Sequence, residues 1–254
     1  MKKPNYYGLP FIFLCIIILL LSEFFHSVMP VLVPTPLGTL KALWFKRELI
    51  LYHLPYTLAI AFGGIALSLV VSFILVVSMQ LVGFLEKAML PALIISQAIP
   101  FIALGPLLLA IFGYGITTKI AVTALLCYFP IFLSLYEGMS QVNQSQLKVL
   151  VSLGLSPYQI IMHLRLPNAL PSLFTGIRTS LSWVFSAAIL SELLGTYRGL
   201  GFLIKAATRS FDSELIFAII VVITIFSLLF FMLAKWCEAS LMPWNKKVGD
   251  KFTF

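Results

Sequence analysis

Residues 147–171, LKVLVSLGLSPYQIIMHLRLPNALP, form a half-polar stretch between two long apolar runs, and what they build decides how the whole chain is read. Ser156 followed by Gln159 three residues later has the form of a capping box, and Pro157 takes the first helical position, where a missing N–H costs nothing. Asn143 and Gln146 repeat the form just upstream. Gly154 lies between the two, and glycine is the default where one helix stops in a left-handed turn before another begins. The stretch reads as short helix, tight turn, short helix, with Pro167 and Pro171 marking the start of the next apolar run. Such caps suit either a plain helical connector or a rigid protrusion that docks on a partner.

Outside this stretch the chain is largely apolar. Of 254 residues, 61% are hydrophobic and only 10% charged, and the mean hydropathy is +1.05. Those values belong to an integral membrane protein rather than a soluble domain. A bilayer core of about 30 Å takes roughly 20 apolar residues per helix, and every backbone polar group inside it must be satisfied locally. Six transmembrane helices are expected, at about 9–25, 56–79, 90–112, 117–136, 170–194 and 214–234, in one all-α polytopic domain covering residues 1–254. The run from Leu9 to Phe25 is read as a retained span because HSVMP follows it instead of a small-residue cleavage site. Between the first two spans, LGTLKALWFKRELILYHLP has the mixed pattern of a helix lying on the membrane surface.

Six spans put both termini on one side. With the termini inside, the inner segments carry Lys2, Lys3, Lys87, Lys148, Arg165, Lys235, Lys246, Lys247 and Lys251; the outer ones carry Lys41, Lys46, Arg47, Lys119, Arg198, Lys205 and Arg209. The terminal clusters favour a cytoplasmic placement, which also puts residues 140–167 in the cytoplasm. The net charge of +8 reads as membrane flanks, because no basic stripe interleaved with aromatics points to nucleic acid. Cys15, Cys127 and Cys237 are scattered, and His26, His53 and His163 have no ligand spacing, so no metal site is expected and the lone histidines read as polar surface residues.

The opening stretch resembles the cytoplasmic loop of binding-protein-dependent ABC importer permeases, whose signature is E-A-A, three residues, G, nine residues, I-x-L-P. Gly154 takes the glycine position, and Leu164, Leu166 and Pro167 fill the close; Lys148, Val149 and Leu150 stand at the E-A-A positions, so the acidic start is charge-reversed. The phrases VPTPLGTL, IPFIALGPLLLAIFGYG, YFPIFLSLYEGMSQV, GIRTSLSWVFSAAILSELLG, GLGFLI and LMPW resemble the branch serving nitrate, sulfonate, taurine and related solutes. The resemblance implies a type I (MetI-like) permease fold in the bacterial inner membrane. It implies a chain working as a pair of identical copies, with two ABC ATPases and an extracytoplasmic solute-binding protein. The coupling contacts would fall on Lys148, Gly154, Ser156, Pro157, Tyr158, Gln159, Ile161, Leu164 and Pro167. No G-x-x-x-x-G-K-[ST] occurs, so this chain is expected to be a non-catalytic subunit with no bound cofactor, ATP and Mg belonging to the partner ATPase.

A pathway needs polar or kinked helix at mid-depth. Pro100, Pro106 and Pro130 would free backbone carbonyls there, either as pathway features or as packing kinks. Thr175, Thr179, Ser182 and Ser186 recur at spacings that share one helical face, which suits a translocation wall or a close helix–helix contact. Arg178 either snorkels to the headgroups or attracts an anionic solute; Glu192, about 21 Å further along the same helix, is read as structural. The competing classes are an ATP-independent channel or secondary transporter, and a membrane-embedded enzyme. Both would call for intramembrane carboxylates or His clusters that these spans scarcely offer. The solute expected is small: nitrate, a sulfonate, taurine, bicarbonate or a pyrimidine-type vitamin precursor.

Overall fold

The computed structural model describes residues 32–97 and 101–242. The expected first span at 9–25, the terminal basic clusters and Pro100 lie outside them. The described chain is all-helical: α1 (Pro36–Phe45), α2 (Arg47–Leu81), α3 (Gly83–Ser96), α4 (Phe101–Phe112), α5 (Ile116–Ser140), α6 (Gln144–Ser152), α7 (Pro157–Leu193), α8 (Leu200–Arg209) and α9 (Ser213–Leu241). Four of these, α2, α5, α7 and α9, are long and apolar enough to cross a membrane. Residues 90–112, read from sequence as one span, are divided between α3 and α4.

The surface helix expected before the second span has a different form. Its first half is α1, started by the Thr35 hydroxyl accepting from Gly38 N–H with Pro36 at the first helical position. The chain breaks at Lys46, which pairs with Asp212 at the start of α9. The second half is simply the beginning of α2, which runs unbroken through Pro55.

Contact between α2, α5 and α7 forms the centre of the bundle, and small residues make it possible. A Cβ on Gly176 of α7 would lie 2.7 Å from the Pro130 carbonyl oxygen and 2.9 Å from Ile131 Cα of α5. One on Gly138 of α5 would lie 2.9 Å from Ala169 Cα of α7, and one on Gly64 of α2 would strike Thr123. Backbones this close gain dispersion contacts that lipid tails cannot supply. Hydroxyls then stitch the three helices: Ser72 of α2 donates to the Tyr128 carbonyl at 3.0 Å and Ser180 of α7 to the Cys127 carbonyl at 2.7 Å, while the Ser68 hydroxyl is shared between the Gly64 carbonyl of its own helix at 2.8 Å and the Ala124 carbonyl at 3.0 Å. The three acceptors on α5 lie in the turns before Pro130, whose missing N–H disturbs the α5 ladder. At the α6 end, Asn168 donates to the Gly138 and Gln141 carbonyls at the end of α5.

Introducing a side chain at the closest crossing is the direct test of this arrangement. Gly176→Val should destabilise the detergent-solubilised protein by about 1–3 kcal/mol, as overpacking does. Gly83→Ala, at a glycine with open space around it, should leave the thermal midpoint almost unmoved. Equal midpoints for the two variants would refute the crossing.

Candidate functional site

Three places gather the chemistry-bearing residues: the turn between α6 and α7, a groove between α7 and α9, and the junction of α7 with α8. At the first, α6 ends in a Schellman turn. Leu155 N–H donates to the Leu150 carbonyl and Gly154 N–H to the Val151 carbonyl, with Gly154 at φ +77°, a conformation that favours glycine. Ser156 and Gln159 form the reciprocal capping box, with Pro157 at the first helical position. Asn143 caps α6 by a single bond from Ser145 N–H.

The short helix starting at Pro157 does not stop before the next span, as the prolines suggested. Ile161–Arg165 continues as π-helix and Leu166 resumes α-helix, so α7 is one helix of 37 residues. The wider turn ends just ahead of Pro167, which sits in the first turn of the resumed α-segment, where its lack of N–H is tolerated. Of the residues expected to meet a partner, Lys148, Gly154, Ser156, Pro157, Tyr158, Gln159 and Pro167 are exposed and Leu164 is half-buried. Ile161 is only 2% exposed and anchors the turn to the bundle instead.

On α7, Gly176 and Ser180 serve the contact with α5, while Thr175, Thr179, Ser182 and Ser186 occupy an exposed face. Thr175, Thr179 and Ser182 each donate back to the carbonyl four residues earlier. Within this chain that face is not a helix–helix contact. Ser182 and Ser186, with Thr224 and Ser227 of α9, line a groove of about 740 Å³ whose remaining walls are apolar and include Ile204 of α8. Arg178 pairs with Glu238 of α9 at 2.9 Å, so its charge is not presented alone. Pro130 lies at the α5–α7 crossing and Pro106 is an exposed residue inside α4; neither lines the groove.

The junction was not foreseen. Glu192, 1% exposed, accepts from Gly201 N–H at 2.6 Å and from the Thr57 hydroxyl at 2.8 Å. Thr57 in turn accepts from Leu200 N–H at 2.8 Å, and His53 Nδ1 accepts from Gly199 N–H at 3.1 Å. Three successive N–H groups at the start of α8 are thereby satisfied by α2 and α7, and the carboxylate sits where a helix N-terminus favours negative charge. Gly199, at φ +112°, passes so near that a Cβ would collide with the Glu192 carboxylate. His53 is thus buried, contrary to its reading as a surface residue, because α2 starts earlier than hydropathy suggested and carries it under the Gly199 turn. Lys119, counted among the outer cations, is buried as well and donates to the Tyr114 carbonyl at 2.6 Å. The spacing of four between His53 and Thr57 in an apolar stretch was the available signal. Among the described residues no cluster of His, Cys, Asp or Glu could hold a metal.

Similarity to known proteins extends over most of the chain. Residues 64–243 match the family described as binding-protein-dependent transport system inner membrane component. A formylaminopyrimidine transport permease protein of Halalkalibacterium halodurans is 36% identical over 219 residues, 86% of this chain and 88% of the relative. A riboflavin transport system permease protein of Chloroflexus aurantiacus is 30% identical, covering 84% of this chain and 81% of the relative. A taurine transport system permease protein of Escherichia coli is 32% identical, with 62% and 58% covered.

Removing the Glu192 carboxylate should uncouple α8 from α7. Glu192→Ala strands one buried hydroxyl and one N–H, each worth about 1–3 kcal/mol when left unsatisfied. Amide hydrogen exchange over residues 200–203 should quicken at least tenfold, and less in Glu192→Gln. Unchanged exchange there would show that the cap is dispensable.

Proposed function

Since the chain belongs to the family of binding-protein-dependent transport system inner membrane components, a multi-pass transport subunit of the inner membrane, we propose that it is the permease of an ATP-driven importer of a small solute. In this reading two copies face one another across the groove between α7 and α9, each joined to a separate ABC ATPase. An extracytoplasmic binding protein delivers the solute. The termini and the turn between α6 and α7 lie in the cytoplasm.

The observation that carries this reading is the continuity of α7. A displacement applied at Pro157 travels along one unbroken helix, through the π-helical stretch, before it reaches Ser182 and Ser186, about 40 Å further along the helix axis. The capped turn ahead of Pro157 is stiff for the same local reasons, and it exposes apolar side chains away from the bundle: Val149 (58%), Leu153 (70%) and Tyr158 (56%). Exposed apolar groups on a segment outside the spans are what a partner surface covers. Closure of two docked ATPases on nucleotide would swing α7 and open the groove alternately to either side.

Lys148 stands on the exposed face of α6, and its charge sets what the ATPase surface opposite must tolerate. The solute class follows the relatives: pyrimidine-type vitamin precursors, taurine and sulfonates are the candidates. The same bundle working without nucleotide, as a channel or secondary transporter, is the reading to be excluded.

Purified chain, its ATPase and its binding protein in proteoliposomes should accumulate solute only with ATP inside the ATPase compartment; accumulation without ATP would sink the importer reading. The turn gives a second test. Gly154→Val forces a β-branched residue into a left-handed conformation, costing about 1–2 kcal/mol, and should weaken ATPase association roughly 5- to 30-fold. Membrane insertion should stay normal, and Gly154→Asn, which tolerates that conformation, should retain most of the binding. Full co-purification of the valine variant would remove the turn from the mechanism.

A further inference from the structure

The groove between α7 and α9 carries hydroxyls from two helices and no charged residue in its lining. Two of those hydroxyls, on Ser186 and Ser227, make no hydrogen bond among the described residues and are free to meet a solute. The nearest cation on α7 is Arg178, one turn from Ser182 toward the α6 end. Unpaired, it would place a full positive charge about 6 Å along the axis from the first groove hydroxyl.

Glu238 removes that charge. The two side chains are 17% and 6% exposed, and their closest atoms are 2.9 Å apart. Neither carboxylate oxygen accepts a directed hydrogen bond from a described group, so the contact is one of charge against charge. If its task were only to join α7 to α9, a pair of apolar side chains would do as well, because burying two ions costs several kcal/mol that their attraction barely recovers. With Arg178 in place beside the groove, Glu238 is the group that cancels its charge. Lys235, three residues earlier on α9, also has an interaction partner.

Building on the reading of the groove as half of the pathway, we propose that Glu238 is a specificity-determining residue. It masks Arg178, so that the groove presents hydroxyls without net charge and passes polar solutes that carry none. A flat heterocycle suits that chemistry, with polar edges for the hydroxyls of Ser182, Ser186, Thr224 and Ser227 and apolar faces for side chains such as Ile223 and Phe231. Inorganic and organic anions of the same size gain nothing from a neutral groove and lose their hydration in entering it.

The test uses the full chain with its ATPase in proteoliposomes, with Cys15, Cys127 and Cys237 replaced and Ser186→Cys introduced. The thiol is reacted with two water-soluble thiosulfonates of matched size, one neutral and one anionic, and the ratio of anionic to neutral rate is recorded. Adding Glu238→Gln should raise that ratio about three- to tenfold, the effect of one unmasked charge roughly 12 Å away at an effective dielectric constant of about 40 to 20. Adding Arg178→Gln as well should bring the ratio back to its starting value, which also shows that the single variant had not merely misfolded. A ratio unmoved by Glu238→Gln, or one that stays high in the double variant, overturns the masking role. Failure of the thiol to react with either reagent would mean instead that the groove holds no water. In that event the pathway reading falls first, and this proposal with it.

Discussion

Polar groups in a bilayer core have no water to turn to, and in this chain the backbone of α5 is where that constraint bites hardest. Pro130 takes one N–H out of its ladder, and the carbonyls of Ala124, Cys127 and Tyr128 just before it are met by hydroxyls from Ser68, Ser180 and Ser72. Those bonds fall where the helices are near enough to make them, and nearness comes from Gly64, Gly138 and Gly176. Small residues and hydroxyls therefore act together: one sets the distance, the other uses it. The two faces of α7 are sorted by the same rule. Gly176 and Ser180 turn inward to α5, which leaves Thr175, Thr179, Ser182 and Ser186 on the exposed face, where Ser182 and Ser186 line the groove.

The two ends of α7 are held in different ways. At the α6 end, the turn relies on local devices, a Schellman turn and a capping box, and leaves its apolar side chains uncovered. At the other end, Glu192 ties α7 to the start of α8 and, through Thr57, to α2. One end is anchored by the buried Ile161 and by Asn168 but leaves its outer face uncovered; the other is hydrogen-bonded into the bundle. Any movement of α7 along its axis would carry the start of α8 with it through Glu192.

The same contrast explains what could be read from the sequence. Gly154, Ser156, Pro157 and Gln159 were legible because their partners lie within four residues, and local rules name them. The Thr/Ser face of α7 was legible as a face, but its neighbour was not, since Thr224 and Ser227 are submerged in the most apolar run of the chain. Thr57 and Glu192 are 135 residues apart, and His53 and Gly199 are 146 apart; no periodicity links such positions. Glu238 escaped for a simpler reason. Hydropathy ends the last span near residue 234, whereas α9 runs on to Leu241, and the acid four residues beyond the boundary meets the arginine that seemed to stand alone.

The π-helical stretch at Ile161–Arg165 has a geometric effect on everything ahead of it. A π turn accommodates about one surplus residue, and one residue of an α-helix is about 100° of rotation. Tyr158 and the knuckle before it are thus offset in azimuth from where a regular helix, projected back from Ser182, would aim them. Shortening or restoring this single surplus would steer the tip around the helix axis like a key turned in its barrel, while the membrane half of α7 kept its seating. A change of one residue in this stretch would therefore re-aim the exposed tip without rebuilding the bundle.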